Sequence, residues 1–234
     1  MELVDHIFIL LVFVALPIYS TTSTGRYLAG IEAGEPSNRV GSYLETITMQ
    51  WVYLAALGLA WWFFGRPIAD LGFRDLEGAE LRRGASATLV MIVALVISWI
   101  RIKRLGVEEK KNYTDGLGQM VHFLPQTDRD YRFFVALSIT AGIVEEIVFR
   151  GFALWYLGSF IPLWAAVGVS SVGFGVGHIY LGGASAAVRA GLVGLAFAIF
   201  YIWTGSIWFP ILAHAVFDIL QGAMGMELSR KDER

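Results

Sequence analysis

The stretch "YRFFVALSITAGIVEEIVFRGFALWYLG" (131–158) decides how this chain is read. It is apolar over a length sufficient to cross a bilayer, which takes about 20 mostly apolar residues. At its centre, however, it carries Glu145, Glu146 and Arg150. An Arg or Asp at mid-membrane costs roughly 2.5–3.5 kcal/mol on insertion scales, so a function is the default explanation for such groups.

The surroundings repeat the pattern. Of 234 residues, 56% are hydrophobic and 16% charged, against about a quarter charged in ordinary soluble domains. Six further apolar segments flank the first: 6–20, 43–64, 84–100, 161–181, 184–203 and 206–226. The expected fold is therefore all-α, a polytopic transmembrane helix bundle of about seven spans. Residues 1–6 are acidic and no small-residue cleavage site follows, which argues against a cleavable signal peptide. The net charge of -2 gives no basis for nucleic-acid binding, and the absence of cysteine removes disulfides, thiol nucleophiles and thiolate metal sites.

Lys and Arg placement orients the bundle. With seven spans and the N-terminus outside, Arg26, Arg39, the seven cations of 101–132, Arg189, Arg230, Lys231 and Arg234 fall inside. Arg66, Arg74, Arg82 and Arg83 fall outside, so the positive-inside rule predicts a cytoplasmic C-terminus. The long polar connection 101–130 reads as a solvated cytoplasmic loop, with a partly amphipathic lid as the alternative.

Helical spacing sorts the intramembrane charges. Glu146 and Arg150 are i and i+4 and share a face, so they can pair. Glu145 points about 100° away and has no cationic partner on its own helix. His214 and Asp218 repeat the i, i+4 relation, and so do Phe174 and His178 in "GFGVGH" (173–178). The glycines of that motif allow another backbone or an extended peptide to approach closely. Taken singly, His178 reads as a packing residue, Glu146–Arg150 as a structural pair and Asp218 as an orienting or capping group. Together, from three helices, they can meet in one cavity, for metal-free activation of water or for a His/Glu metal site.

Three motifs in this order, "EEIVFR" (145–150), "FGVGH" (174–178) and "HAVFD" (214–218), resemble the CAAX protease and bacteriocin-processing (CPBP, or Abi) family of intramembrane endopeptidases. The resemblance covers roughly residues 131–222. It implies Glu145 as general base for a water held with His178, and His214 with the group at 218 as oxyanion stabilisers. Glu146, Arg150 and Phe174 would order the site. Where many members carry Asn, this chain has Asp218, which donates only when protonated; the preferred role is an acceptor that orients His214. No cofactor is expected. Were zinc used, Glu145, His178 and His214 would be its ligands, but the chain has no H-E-x-x-H, and no spare carboxylate is clearly placed as base.

The expected organisation is membrane helices and a cytoplasmic loop over 1–130, a catalytic helix bundle over 131–226, and a cytoplasmic tail over 227–234. The partners are the lipid bilayer and a membrane-anchored peptide or protein substrate: a prenylated C-terminus, a bacteriocin-like peptide or a sorting tail. A prokaryotic cell membrane is the expected location, which disfavours the prenylated substrate. Oligomeric state stays open. Two readings from other classes compete: a catalytically silent immunity or binding protein, and a proton-coupled transporter using Glu145, His178 and Asp218 as a relay.

Overall fold

A computed structural model describes residues 1–75 and 77–229. Arg230, Lys231 and Arg234 of the expected tail lie outside the described residues. Those described form eight helices and no strand. In chain order the helices are α1 (Leu3–Glu32), α2 (Arg39–Phe63), α3 (Gly78–Lys103), α4 (Val107–Leu117) and α5 (Asp128–Glu146, continued to Gly158). Then follow α6 (Leu163–Gly177), α7 (Gly183–Thr204) and α8 (Trp208–Ser229).

Four of these, α1, α3, α7 and α8, are individually long and apolar enough to cross a membrane, and α6 is a shorter apolar helix. Seven such helices were expected. The helix α2 carries Arg39, Glu45 and Gln50, and α5 carries Asp128, Arg129, Asp130 and Arg132 besides its central charges, which dilutes their hydropathy. Leu89, Val90, Val93 and Ile97 of α3 are all exposed, a contiguous apolar surface of the kind lipid covers.

Two helices contain a π-helical turn. In α1 it spans Leu11–Ala15, directly ahead of Pro17. Proline has no N–H and its ring clashes with the carbonyl four residues back, so the wider turn lets the helix continue. The helix thus runs well past the expected segment 6–20. In α5 the turn spans Ile147–Ala153, immediately after the Glu-Glu pair. The start of α5 is set by Thr127, whose hydroxyl accepts from the backbone of Asp130, while the Asp130 carboxylate accepts from the backbone of Thr127. This is a capping box.

Small residues set the closest helix crossings. A Cβ at Gly142 would stand 2.8 Å from the backbone nitrogen of Ala215 and 2.9 Å from the carbonyl of Ile211, so α5 and α8 meet backbone to backbone. A Cβ at Gly175 would stand 2.5 Å from the carbonyl of Ala187, which brings α6 onto α7. Of the three glycines expected to permit close approach, Gly175 does so for α7, Gly173 accommodates the Phe13 ring, and Gly177 faces open space. Around these crossings Phe8, Leu57, Trp61, Val144, Val148, Phe152, Phe174 and Ile207 form the main core.

The ends of the bundle are tied by polar contacts. At one end, Arg66 binds Asp5 through two hydrogen bonds of 2.7 and 2.8 Å, with its guanidinium 4.9 Å from the Trp155 ring. At the other, Tyr43 donates to the carbonyl of Phe123 at 2.7 Å, and Lys110 lies 3.2 Å from Glu227. The stretch 101–130 is therefore not a simple solvated loop. It contains α4 and a 3₁₀ turn (Gly118–Phe123), and buried Lys110 holds α4 against the C-terminal part of α8.

Candidate active site

The expected residues converge from α5, the C-terminal edge of α6, and α8. Glu146 and Arg150 are both buried, and Arg150 Nη1 donates to Glu146 Oε1 at 2.9 Å. The second guanidinium nitrogen, Nη2, donates to the carbonyl of Gly194 on α7 at 2.8 Å. The guanidinium lies 4.7 Å from the Phe174 ring and 5.7 Å from that of Phe197. Arg150 therefore joins α5, α6 and α7 through one planar cation, a task suited to its fixed fork of donors.

Glu146 also takes His214. The imidazole Nδ1 is 2.7 Å from the same Oε1 that binds Arg150, so Nδ1 carries the hydrogen and donates to the carboxylate. The opposite ring edge, Nε2, faces Asp218 Oδ2 at 3.5 Å and Glu145 Oε2 at 3.9 Å. Phe197 stacks on the imidazole with centroids 5.1 Å apart. The orienting task expected of Asp218 thus falls geometrically to Glu146, because Asp218 stands by the nitrogen that faces the site. Helical spacing reveals the Glu146–Arg150 pair but not the contact that unites it with His214.

His178 caps the C-terminus of α6 rather than sitting inside the helix. Its Nδ1 is 2.8 Å from the carbonyl of Phe174, one of the helix's last acceptors. With that bond, Nδ1 holds the hydrogen and Nε2 is left directed to Glu145 Oε2, 3.9 Å away. The rings of Phe174 and His178 lie 4.5 Å apart. All seven expected residues are therefore close together, with Asp218 and His178 the more exposed and Glu146, Arg150, Phe174 and His214 the most enclosed.

Glu145 is held from an unexpected direction. Gln50 Nε2, on α2, donates to Glu145 Oε1 at 2.9 Å. The other carboxylate oxygen, Oε2, is buried and accepts no hydrogen bond from the described residues, and Gln50 Oε1 is in the same situation. Sequence reasoning passed over Gln50, although a lone amide within "TMQWVYLAALGLAWW" (48–62) was a usable signal. Phe197 and Gly194 carried no such signal, since both look like ordinary membrane-helix residues.

Glu145, His178 and His214 do not fit a zinc centre as they stand. Tetrahedral ligation at 2.0–2.1 Å sets neighbouring donors about 3.3 Å apart, whereas Glu145 Oε2 is 3.9 Å from each imidazole nitrogen. Among the described residues no group of three or more His, Asp and Glu side chains is arranged to hold a metal ion.

Residues 128–220 match a family model described as type II CAAX prenyl endopeptidase Rce1-like. The matched segment runs from the start of α5 into α8 and contains every expected site residue, but leaves out Gln50. Neither a curated protein nor a solved structure matches the chain. Residues 128–220 are thus similar to the CAAX protease family, and the four apolar helices fit an integral membrane protein.

Proposed function

We propose, from the match of residues 128–220 to the CAAX protease family model, that this protein is an intramembrane endopeptidase. It hydrolyses a peptide bond of a membrane-associated protein or peptide through water activated by Glu145 and His178. The observation that carries this reading is the buried Oε2 of Glu145, 3.9 Å from the Nε2 atoms of both His178 and His214. Such gaps exceed a direct hydrogen bond; because Oε2 is buried, a bridging water enters when the carboxylate or an imidazole swings aside.

The residues divide the reaction as follows. His178, its hydrogen on Nδ1, accepts from the water through Nε2, while Glu145 Oε2 removes the water's other proton. The water oxygen bonds to the substrate carbonyl carbon and the carbonyl electron pair moves onto oxygen. His214, when protonated, donates Nε2–H to that oxyanion and keeps Nδ1–H on Glu146. As the tetrahedral carbon expels nitrogen, Glu145 delivers its proton to the leaving amine. A positioned base contributes about 10²–10⁴-fold and one oxyanion donor about 10²–10³-fold. Arg150 and Glu146 hold His214, and Asp218 flanks the oxyanion position.

The test is proteolysis in liposomes on a library of membrane-proximal peptides, comparing wild type with Glu145→Gln, each with and without a zinc chelator. Chelator-insensitive cleavage that falls at least 10²-fold in the variant is expected. Cleavage abolished by chelator and restored by zinc overturns the metal-free route. A Glu145→Gln protein that still cleaves removes Glu145 as base.

A further inference from the structure

The bond between Gln50 and Glu145 crosses from α2, which the family match does not reach, to the centre of the proposed chemistry. We propose that Gln50 is a positioning residue for Glu145, resting on the peptidase reading above. Its amide ties down Oε1 and so leaves Oε2 as the one carboxylate oxygen turned to the two imidazoles.

Three observations support this. Gln50 is only 6% exposed and is flanked in its helix by Met49 and Trp51. Its carbonyl oxygen is buried without a partner, so the contact with Glu145 is the hydrogen bond in which this side chain takes part. A polar group desolvated in this way is costly unless hydrogen-bonded, and the bond it makes goes to the carboxylate that pairs with no cation on its own helix. Among the described residues Glu145 in turn receives one side-chain hydrogen bond, the one from Gln50, while Glu146 next to it is bound by both Arg150 and His214. Without the amide, the Glu145 carboxylate could rotate about its terminal bond, and either oxygen could face the imidazoles. Such a loss of orientation slows the chemical step and leaves substrate affinity alone.

Two readouts test the proposal. Protein labelled with ¹⁵N-glutamine carries only Gln50, Gln119, Gln126 and Gln221, so its side-chain amides can be resolved in detergent. One Gln50 Nε2 proton should resonate downfield and exchange slowly, and lose both properties in Glu145→Ala. A Gln50 signal indifferent to Glu145→Ala overturns the proposal whether or not the protein cleaves peptides. In the kinetic arm, Gln50→Leu should lower kcat about 10-fold or more, with KM within twofold and an unchanged melting temperature. Gln50→Asn should recover part of the loss. A Gln50→Leu protein with unchanged kcat, or one whose defect lies only in KM or melting temperature, also overturns it. Wild type that cleaves nothing while the amide signal responds to Glu145→Ala instead sinks the peptidase reading and leaves the contact standing.

Discussion

At the scale of single residues, the site separates two adjacent glutamates by their partners. Glu146 is buried against a guanidinium and an imidazole, while Glu145 has an amide on one oxygen and no donor among the described residues on the other. The same logic bears on Asp218, where many relatives of the resembled family carry Asn. Its Oδ2 lies by His214 Nε2, at the edge proposed to meet the oxyanion, where an amide could donate. Asp218→Asn should therefore keep at least about a tenth of wild-type kcat, whereas His214→Ala should lose about 10²–10³-fold. Steady-state kinetics on one cleaved peptide checks both. Equal losses in the two variants would show that charge at position 218 is required.

At the scale of elements, the π-turn in α5 and the glycine crossings bring the groups within reach. A π-turn takes one more residue than an α-turn and so rotates everything after it, and such turns often occur at functional sites. The turn at Ile147–Ala153 includes Arg150, and Arg150 reaches both back to Glu146 and across to α7. The α5–α8 crossing depends on Gly142, where any side chain would meet the backbone of Ala215 and Ile211, one and three residues from His214. Gly142→Val should destabilise the protein by about 1–3 kcal/mol through overpacking and lower kcat by moving His214 away from Glu146. Gly58→Ala, at a position with open space around it, is the control and should leave both unchanged. Thermal unfolding and cleavage rate, read side by side, check this. An active Gly142→Val protein would mean that the crossing has room to adjust.

At the scale of the whole molecule, the helices run between two ends with different chemistry. One end gathers Asp5, Arg66 and Trp155; the other gathers the start of α2, the stretch from α4 to the 3₁₀ turn, and the end of α8. The proposed orientation puts the second end in the cytoplasm. The chain contains no cysteine, so single cysteines report topology without background. Ser37→Cys and Asn112→Cys should resist a membrane-impermeant maleimide in intact cells and react after permeabilisation. Ser159→Cys should react in intact cells. The reverse pattern would invert the orientation and leave the fold untouched.

Much of this was legible in the chain itself. Apolar blocks interrupted by Glu145, Glu146, Arg150, His178, His214 and Asp218 determined a membrane helix bundle with its polar groups in the second half, because a bilayer tolerates charge only where it is paired or useful. The i, i+4 spacing determined the Glu146–Arg150 pair and the Phe174–His178 stack, since helix geometry sets both. Contacts between distant segments were not legible. Glu146 with His214 and Gln50 with Glu145 depend on how far helices approach and how each is rotated about its axis. Gly142, Gly175 and the π-turn set those quantities, through backbone packing that no single segment encodes. The helical part of 101–130 was missed for a related reason: α4 is polar, and what holds it to α8 includes a buried lysine whose carboxylate partner lies more than a hundred residues further on, and Leu117 packed against the cluster of Met224 and Leu228. Only the assembled bundle brings those charges together.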